Sequence, residues 1–254
     1  MKSHSQDDIL SYIQQHPGKP VRDIIAHVGL FPTGVFRHLQ KLQNQGKIYK
    51  TGKPPTVRYY VYETLMESES ALAHNIFNWS IASDPRQLSP DVLCPTRDIF
   101  QARSEKMLLS LVKELNEGRA YLLLAIIEEV GNNSFDHNLG NWQDVMGVAF
   151  EFDEQKRSVL LADRGQGVKK TISRVKPDIA SDARALEVAF TEIISGRYPE
   201  NRGNGLKYVK KVVMEQNFGI HFYSGEAVCT ITTNGLRIEK SNVIIPGTFT
   251  LITY

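Results

Sequence analysis

Residues 126–138 read IIEEVGNNSFDHN, and this stretch decides how the second half of the chain is read. Its apolar residues continue a helical pattern from Leu122, so Leu122 to Asn138 is expected to be one long, largely buried helix. On such a helix Glu129 and Asn133, four residues apart, share a face, and Asp136 and His137 follow a turn further on. A carboxylate beside a carboxamide can orient an attacking hydroxyl or water and bind a hard cation through oxygen, which are tasks of phosphoryl transfer. Glu128 and Asn132 repeat the spacing on another side of the helix, and Glu-x-x-x-Asn is a common surface pattern. The reading therefore needs support from elsewhere in the chain.

That support lies in three later stretches. The apolar run SVLLAD (158–163) reads as a buried strand and leads into ADRGQGV (162–168). Asp163 at the strand end, followed by Gly165, Gly167 and Val168, sets an acceptor next to backbone that a flat ring can approach closely. NRGNGLKYVKK (201–211) puts Arg202, Gly203, Asn204, Gly205, Leu206 and Lys207 at the start of a Lys-rich helix, where free N–H groups collect phosphates. PGTFTL (246–251) carries Thr248 into a final strand. Taken singly, each of the three reads as a turn or a cap.

Taken together and in this order, the four motifs resemble the nucleotide-binding boxes of the GHKL superfamily (gyrase, Hsp90, histidine kinase, MutL) over residues 97 to 254. The resemblance implies a Bergerat-type α/β sandwich, with a mixed sheet and one helical layer, that binds ATP with Mg²⁺. By it, Glu129 is the catalytic acid-base residue, Asn133 holds Mg²⁺ and Asp163 accepts the adenine amino group. Gly165 and Gly167 make room for the base, and Gly203, Gly205 and Leu206 wrap the phosphates beneath a lid formed by 168–202. Thr248 lies near the adenine. Asp136, His137, Val168, Arg202, Asn204 and Lys207 complete the expected nucleotide contacts. The register Glu129/Asn133 matches the family string better than Glu128/Asn132, because Ser134 and Asp136 then follow as they do in the family. Sensor histidine kinases usually carry Asn where this chain has Glu129. The acid thus points to the hydrolysing members or to anti-sigma-type serine kinases acting on a small partner protein. With no His-Glu or His-Asp phosphoacceptor box, and no following domain to supply a lysine, slow hydrolysis is expected.

Outward from this half, the first sixty residues read differently. Three short helical patterns, around Ile9–Ile13, Val21–Val28 and FPTGVFRHLQKLQNQG (31–46), precede KIYKTGKPPTVRYYVYE, whose alternation around Gly52–Pro55 is that of a two-stranded ribbon. Helix, helix, helix, ribbon resembles the bacterial winged-helix regulators. Nine Lys or Arg stand against three Asp in residues 1–60, a net of +6 in a chain whose total is +2, which leaves −4 for the rest. A basic head of this kind is suited to a polyanion. Thr33, Arg37, His38 and Lys41 on the third helix, with Lys47, Lys50, Lys53 and Arg58 on the ribbon, are the expected contacts to double-stranded DNA.

The whole is expected to be α+β: a winged helix-turn-helix in 1–63, a Pro-containing connector in 64–96, and the sandwich in 97–254. At 41% apolar and 23% charged, with no run approaching ~20 apolar residues, the composition is that of a globular cytoplasmic protein. Cys94 and Cys229, far apart, do not form a metal-ligand pattern. Possible pairing on two DNA half-sites makes a homodimer a natural arrangement.

Overall fold

A computed structural model describes residues 4–45, 47–51, 54–61, 70–85, 87–193 and 204–254. The chain divides into two compact units, 1–86 and 87–254. No described helix is long and apolar enough to cross a membrane.

In the first unit, α1 (His4–Gln15), α2 (Val21–Val28) and α3 (Pro32–Asn44) precede the antiparallel ribbon of β2 (Ile48–Thr51) and β3 (Arg58–Val61). Pro32 opens α3 at its first turn, where a missing N–H costs nothing. Ile9, Ile13, Ile24, Val35, Leu39, Leu42, Ile48 and Tyr59 close into one core, so the apolar stripe of each helix is consumed inside the unit. Short β1 (Lys19–Pro20), which periodicity does not signal, pairs with β3 and completes a three-stranded sheet of order β1-β3-β2.

The expected connector 64–96 is not a single linker. It contains α4 (Ala71–Ile81), capped by Ser70 Oγ accepting from Ala73 N at 2.9 Å, which groups with the first unit. It also contains β4 (Leu93–Cys94), an edge strand of the second unit. The division falls after position 86 because β4 pairs with β5 (Val148–Asp153) and ties 87–96 to the later sheet.

The second unit continues with α5 (Arg97–Glu114), α6 (Glu117–Asn138), β6 (Ser158–Asp163), α7 (Gly167–Ile172), α8 (Asp182–Thr191), α9 (Gly205–Gln216), β7 (Gly219–Thr232) and β8 (Gly235–Thr253). Its described strands run β4-β5-β6-β8-β7, and every described pair is antiparallel. This corrects the mixed sheet expected from the resemblance: successive strands here return by hairpins or by crossovers that reverse direction, so no parallel neighbour arises. β7 and β8 are long strands whose mutual pairing is irregular between Tyr223 and Ala227.

Apolar side chains of α5, α6, α8 and α9, among them Phe100, Leu123, Ile127, Phe190 and Val209, share a core with Val159, Leu161, Phe222 and Ile252 from one sheet face. Leu160, Ala162, Phe249 and Leu251, which point the other way, are buried too. Every residue of β6 is buried, which is why SVLLAD is continuously apolar rather than alternating.

Candidate functional site

The end of β6 and the C-terminal part of α6 meet over a cleft with about 520 Å³ of atom-free space, open solvent included. Asn133, Ser134, His137 and Asn138 line it from α6, Gly167, Val168, Thr171 and Ile172 from α7, and Leu206 from α9. Asp163 and Thr248 form its floor, facing each other across the β6–β8 ladder.

Asp163 is almost wholly buried and its carboxylate is fully engaged. Oδ2 accepts from Ser134 Oγ at 2.7 Å and from Thr248 Oγ1; Oδ1 accepts from Gly165 N at 2.8 Å and from Asn138 Nδ2 at 3.3 Å. Four donors match the hydrogen-bonding capacity of a carboxylate, so both oxygens are satisfied within the described residues. Asn138 Oδ1 in turn accepts from Gln166 N at 2.9 Å, and Gln166 Nε2 donates to the His137 carbonyl at 2.6 Å, pinning the 164–167 turn to the end of α6.

Arg164 holds the same turn from the outside. It is 5% exposed and donates from Nε and Nη2 to the two oxygens of Asp144, at 2.8 and 2.6 Å. The hydrogen bond from Arg164 is the largest influence on the Asp144 carboxyl and, with smaller help from the Val145 N–H and the guanidinium charge, holds it below its ordinary range against the opposing effect of burial, which ranks second. A depressed folded-state pKa contributes stability above the unfolded value and loses it as pH falls through the folded value. Stability is therefore expected to drop below about pH 4, and Asp144→Asn to flatten that acid limb in pH-dependent thermal melts. Because over a third of Asp144 is open to solvent, screening keeps the effect modest.

The two adjacent acids of α6 make different contacts. Glu128 accepts from Ser104 Oγ of α5 at 3.1 Å and belongs to helix packing. Glu129 accepts from Asn133 Nδ2 at 3.3 Å and lies against the start of α9, where a Cβ on Gly205 would stand 1.5 Å from Oε1. A larger residue at 205 would displace the Glu129 carboxylate from this position.

Other expected contacts are placed differently. Asp136 is exposed and paired with Arg97, outside the cleft lining. Lys207 Nζ donates to the Glu192 carbonyl at 2.6 Å, and burial lowers its pKa. Asn204 is the exposed N-cap of α9 with no side-chain cap bond. Arg202 and Gly203 lie outside the described residues, as does part of the expected lid; α7 and α8 occupy the described part. Asn138, Thr171 and Phe222 were not singled out from the sequence, and neither was Ser224, whose Oγ donates to the Gly247 carbonyl and accepts from Val168 N. Asn138 ends the α6 motif and was legible in principle. The other three sit in no motif.

In the first unit, Thr33, Arg37 and Lys41 form an exposed stripe on α3, opposite the buried Val35, Leu39 and Leu42. His38 is half-buried and rotated away from that stripe. Lys47 and Lys50 are exposed on the approach to and within β2, Arg58 is half-buried on β3, and Lys53 lies outside the described residues. A family model described as winged helix-turn-helix DNA-binding matches residues 5–49. This segment is a winged helix-turn-helix DNA-binding domain. A search of curated proteins finds no match to the chain.

On that domain, Arg37→Ala removes an exposed cation that has no carboxylate partner among the described residues. DNA affinity is expected to fall and the slope of log affinity against log salt to shrink by roughly one unit, as measured by anisotropy titrations at several salt concentrations.

Proposed function

We propose that the 87–254 unit binds ATP with Mg²⁺ and that nucleotide binding regulates how the winged-helix domain engages DNA. The observation that carries this reading is the convergence on one cleft of Asn133, Asp163, Leu206 and Thr248, drawn from four motifs spread over more than a hundred residues.

The side chains present fit the ligand. Asp163 offers a fixed acceptor at the closed end of the cleft, and an exocyclic amine can replace its longest contact, that from Asn138. Val130, Val168, Ile172 and Phe222 supply apolar walls for a base. Towards α9, the first N–H groups of that helix lack intrahelical partners and suit phosphate oxygens. Asn133 donates to Glu129 through Nδ2, which leaves Oδ1 free to ligate a hard cation. Among the described residues no three His, Cys, Asp or Glu cluster as a metal cage. Mg²⁺ bound through one side chain, with phosphate and water completing its shell, needs no such cage. When bound, it would neutralise charge on the phosphates.

Regulation requires ATP to favour one arrangement of the protein over another. Calorimetry of ATP and ADP with and without Mg²⁺ tests the binding itself. Wild type is expected to bind ATP more tightly with Mg²⁺, and Asn133→Ala to lose most of that dependence while keeping metal-free affinity. Heat signals absent in wild type would sink the proposal; equal DNA affinity with and without ATP would sink the coupling alone.

A second reading is favoured by Glu129. Its carboxylate accepts from Asn133 and lies against Gly205, outside the residues that line the cleft, and an acid next to such a cleft is the group type that takes a proton from an attacking hydroxyl. In that case the acceptor is a serine on a small partner protein, and labelled ATP incubated with cell extract would transfer its phosphate to protein rather than release it.

A further inference from the structure

The third helix of the DNA-binding domain is unusual in what it leaves in the open. Phe31, at its N-cap, is 85% exposed and Phe36 is 49% exposed, although the unit's own core is complete without them. Gln40 is exposed as well. Thr33, Phe36, Arg37, Gln40 and Lys41 recur at three- and four-residue spacing, so they form one stripe opposite the buried Val35, Leu39 and Leu42. Phe36 and Gln40 are adjacent along one edge of that stripe, and Arg37 and Lys41 along the other.

The geometry points to base readout by Phe36 and Gln40, and to A·T pairs as their target. This rests on the DNA-binding reading of residues 5–49 and goes beyond it, since phosphate contacts carry no sequence information. An A·T pair alone offers the major groove a thymine methyl group next to an adenine N6/N7 edge. The first meets an apolar ring and the second a bidentate carboxamide, the two chemistries that adjacent Phe36 and Gln40 present. Arg37 and Lys41, with no acidic residue anywhere on α3, hold the backbone or a neighbouring guanine. The same absence of acidic groups, beside exposed Lys47 and Lys50, makes a polyanion a better occupant of this face than a protein groove.

The test uses the full chain. Duplexes are selected by it from a random-sequence pool, and the enriched duplex is re-titrated with each thymine replaced by uracil, which removes only the methyl group. Selected sites are expected to contain A·T pairs, and uracil replacement to weaken wild-type binding about three- to fivefold per methyl contacted. Phe36→Ala is expected to bind the thymine and uracil duplexes equally. Gln40→Ala is expected to lose roughly 5- to 100-fold in discrimination at one adenine while retaining the salt slope. Phe36 and Gln40 lie outside the core, so both variants should melt as wild type does, and the melts check this. Uracil replacement without effect, or methyl sensitivity that survives in Phe36→Ala, overturns the inference. If instead no duplex is bound and no salt dependence appears, the DNA-binding reading fails with it.

Discussion

Asp163→Asn is expected to lower affinity for ATP and ADP by about 10- to 100-fold, the worth of a hydrogen bond to a charged group. The variant keeps the shape of the side chain but turns one acceptor oxygen into a donor. Ser134, Thr248, Gly165 N–H and Asn138 all donate to that carboxylate, so at least one of them then faces an NH₂. An adenine amine arriving at the same point meets a donor where an acceptor is needed. Folding is also expected to lose about 1–3 kcal/mol, because a buried donor is left unpaired. The measurement is calorimetry of both nucleotides alongside thermal melts. A variant that is folded and binds ATP as wild type does would remove Asp163 from the site.

The largest effect on stability is expected at Gly247. A Cβ there would stand 2.2 Å from the carbonyl oxygen of Asp163 and 2.6 Å from its Oδ1. Backbone cannot swing aside as a side-chain tip can, so β8 would have to separate from β6 where Thr248 pairs with Asp163. Gly247→Ala is expected to cost at least about 3 kcal/mol. In a unit of this size that lowers the melting temperature by roughly 6–12 °C. Gly205→Ala gives the internal contrast. Its Cβ meets only the Glu129 side chain, which can rotate away, so stability should hold while the Glu129–Asn133 contact is lost. Equal melting temperatures for the two variants would contradict this account of the β6–β8 join.

Legibility in the sequence followed the range of the interactions. The winged helix was readable because its three amphipathic helices and its ribbon each announce themselves within a dozen residues and bury their apolar stripes on one another. The approach of Asn133, Asp163, Leu206 and Thr248 to a common cleft was readable from motif order. The helix-packing contact of Glu128 was not, because its partner Ser104 lies 24 residues away on another helix. Asp136 read as a site residue from its place in the motif, yet its partner is Arg97 on α5. Two-residue β1 and β4 gave no periodic signal, since each exists only through a ladder to a distant strand. Likewise Gly225 looks like a strand end in the sequence, whereas it pairs with Ile245 inside an irregular stretch of the β7–β8 ladder.

The position of β6 has a consequence for how the cleft can respond to a ligand. The strand is hydrogen-bonded along both edges, to β5 and to β8, and buried on both faces. Its amides can exchange with solvent only when the whole unit opens, so it belongs to the slowest cooperative block of the fold. The carboxylate it carries is therefore a fixed reference point. Any adaptation to different occupants falls to the opposite rim, formed by short α7 and the first turn of α9, which belong to no sheet, and discrimination at the floor is uncoupled from adjustment at the mouth.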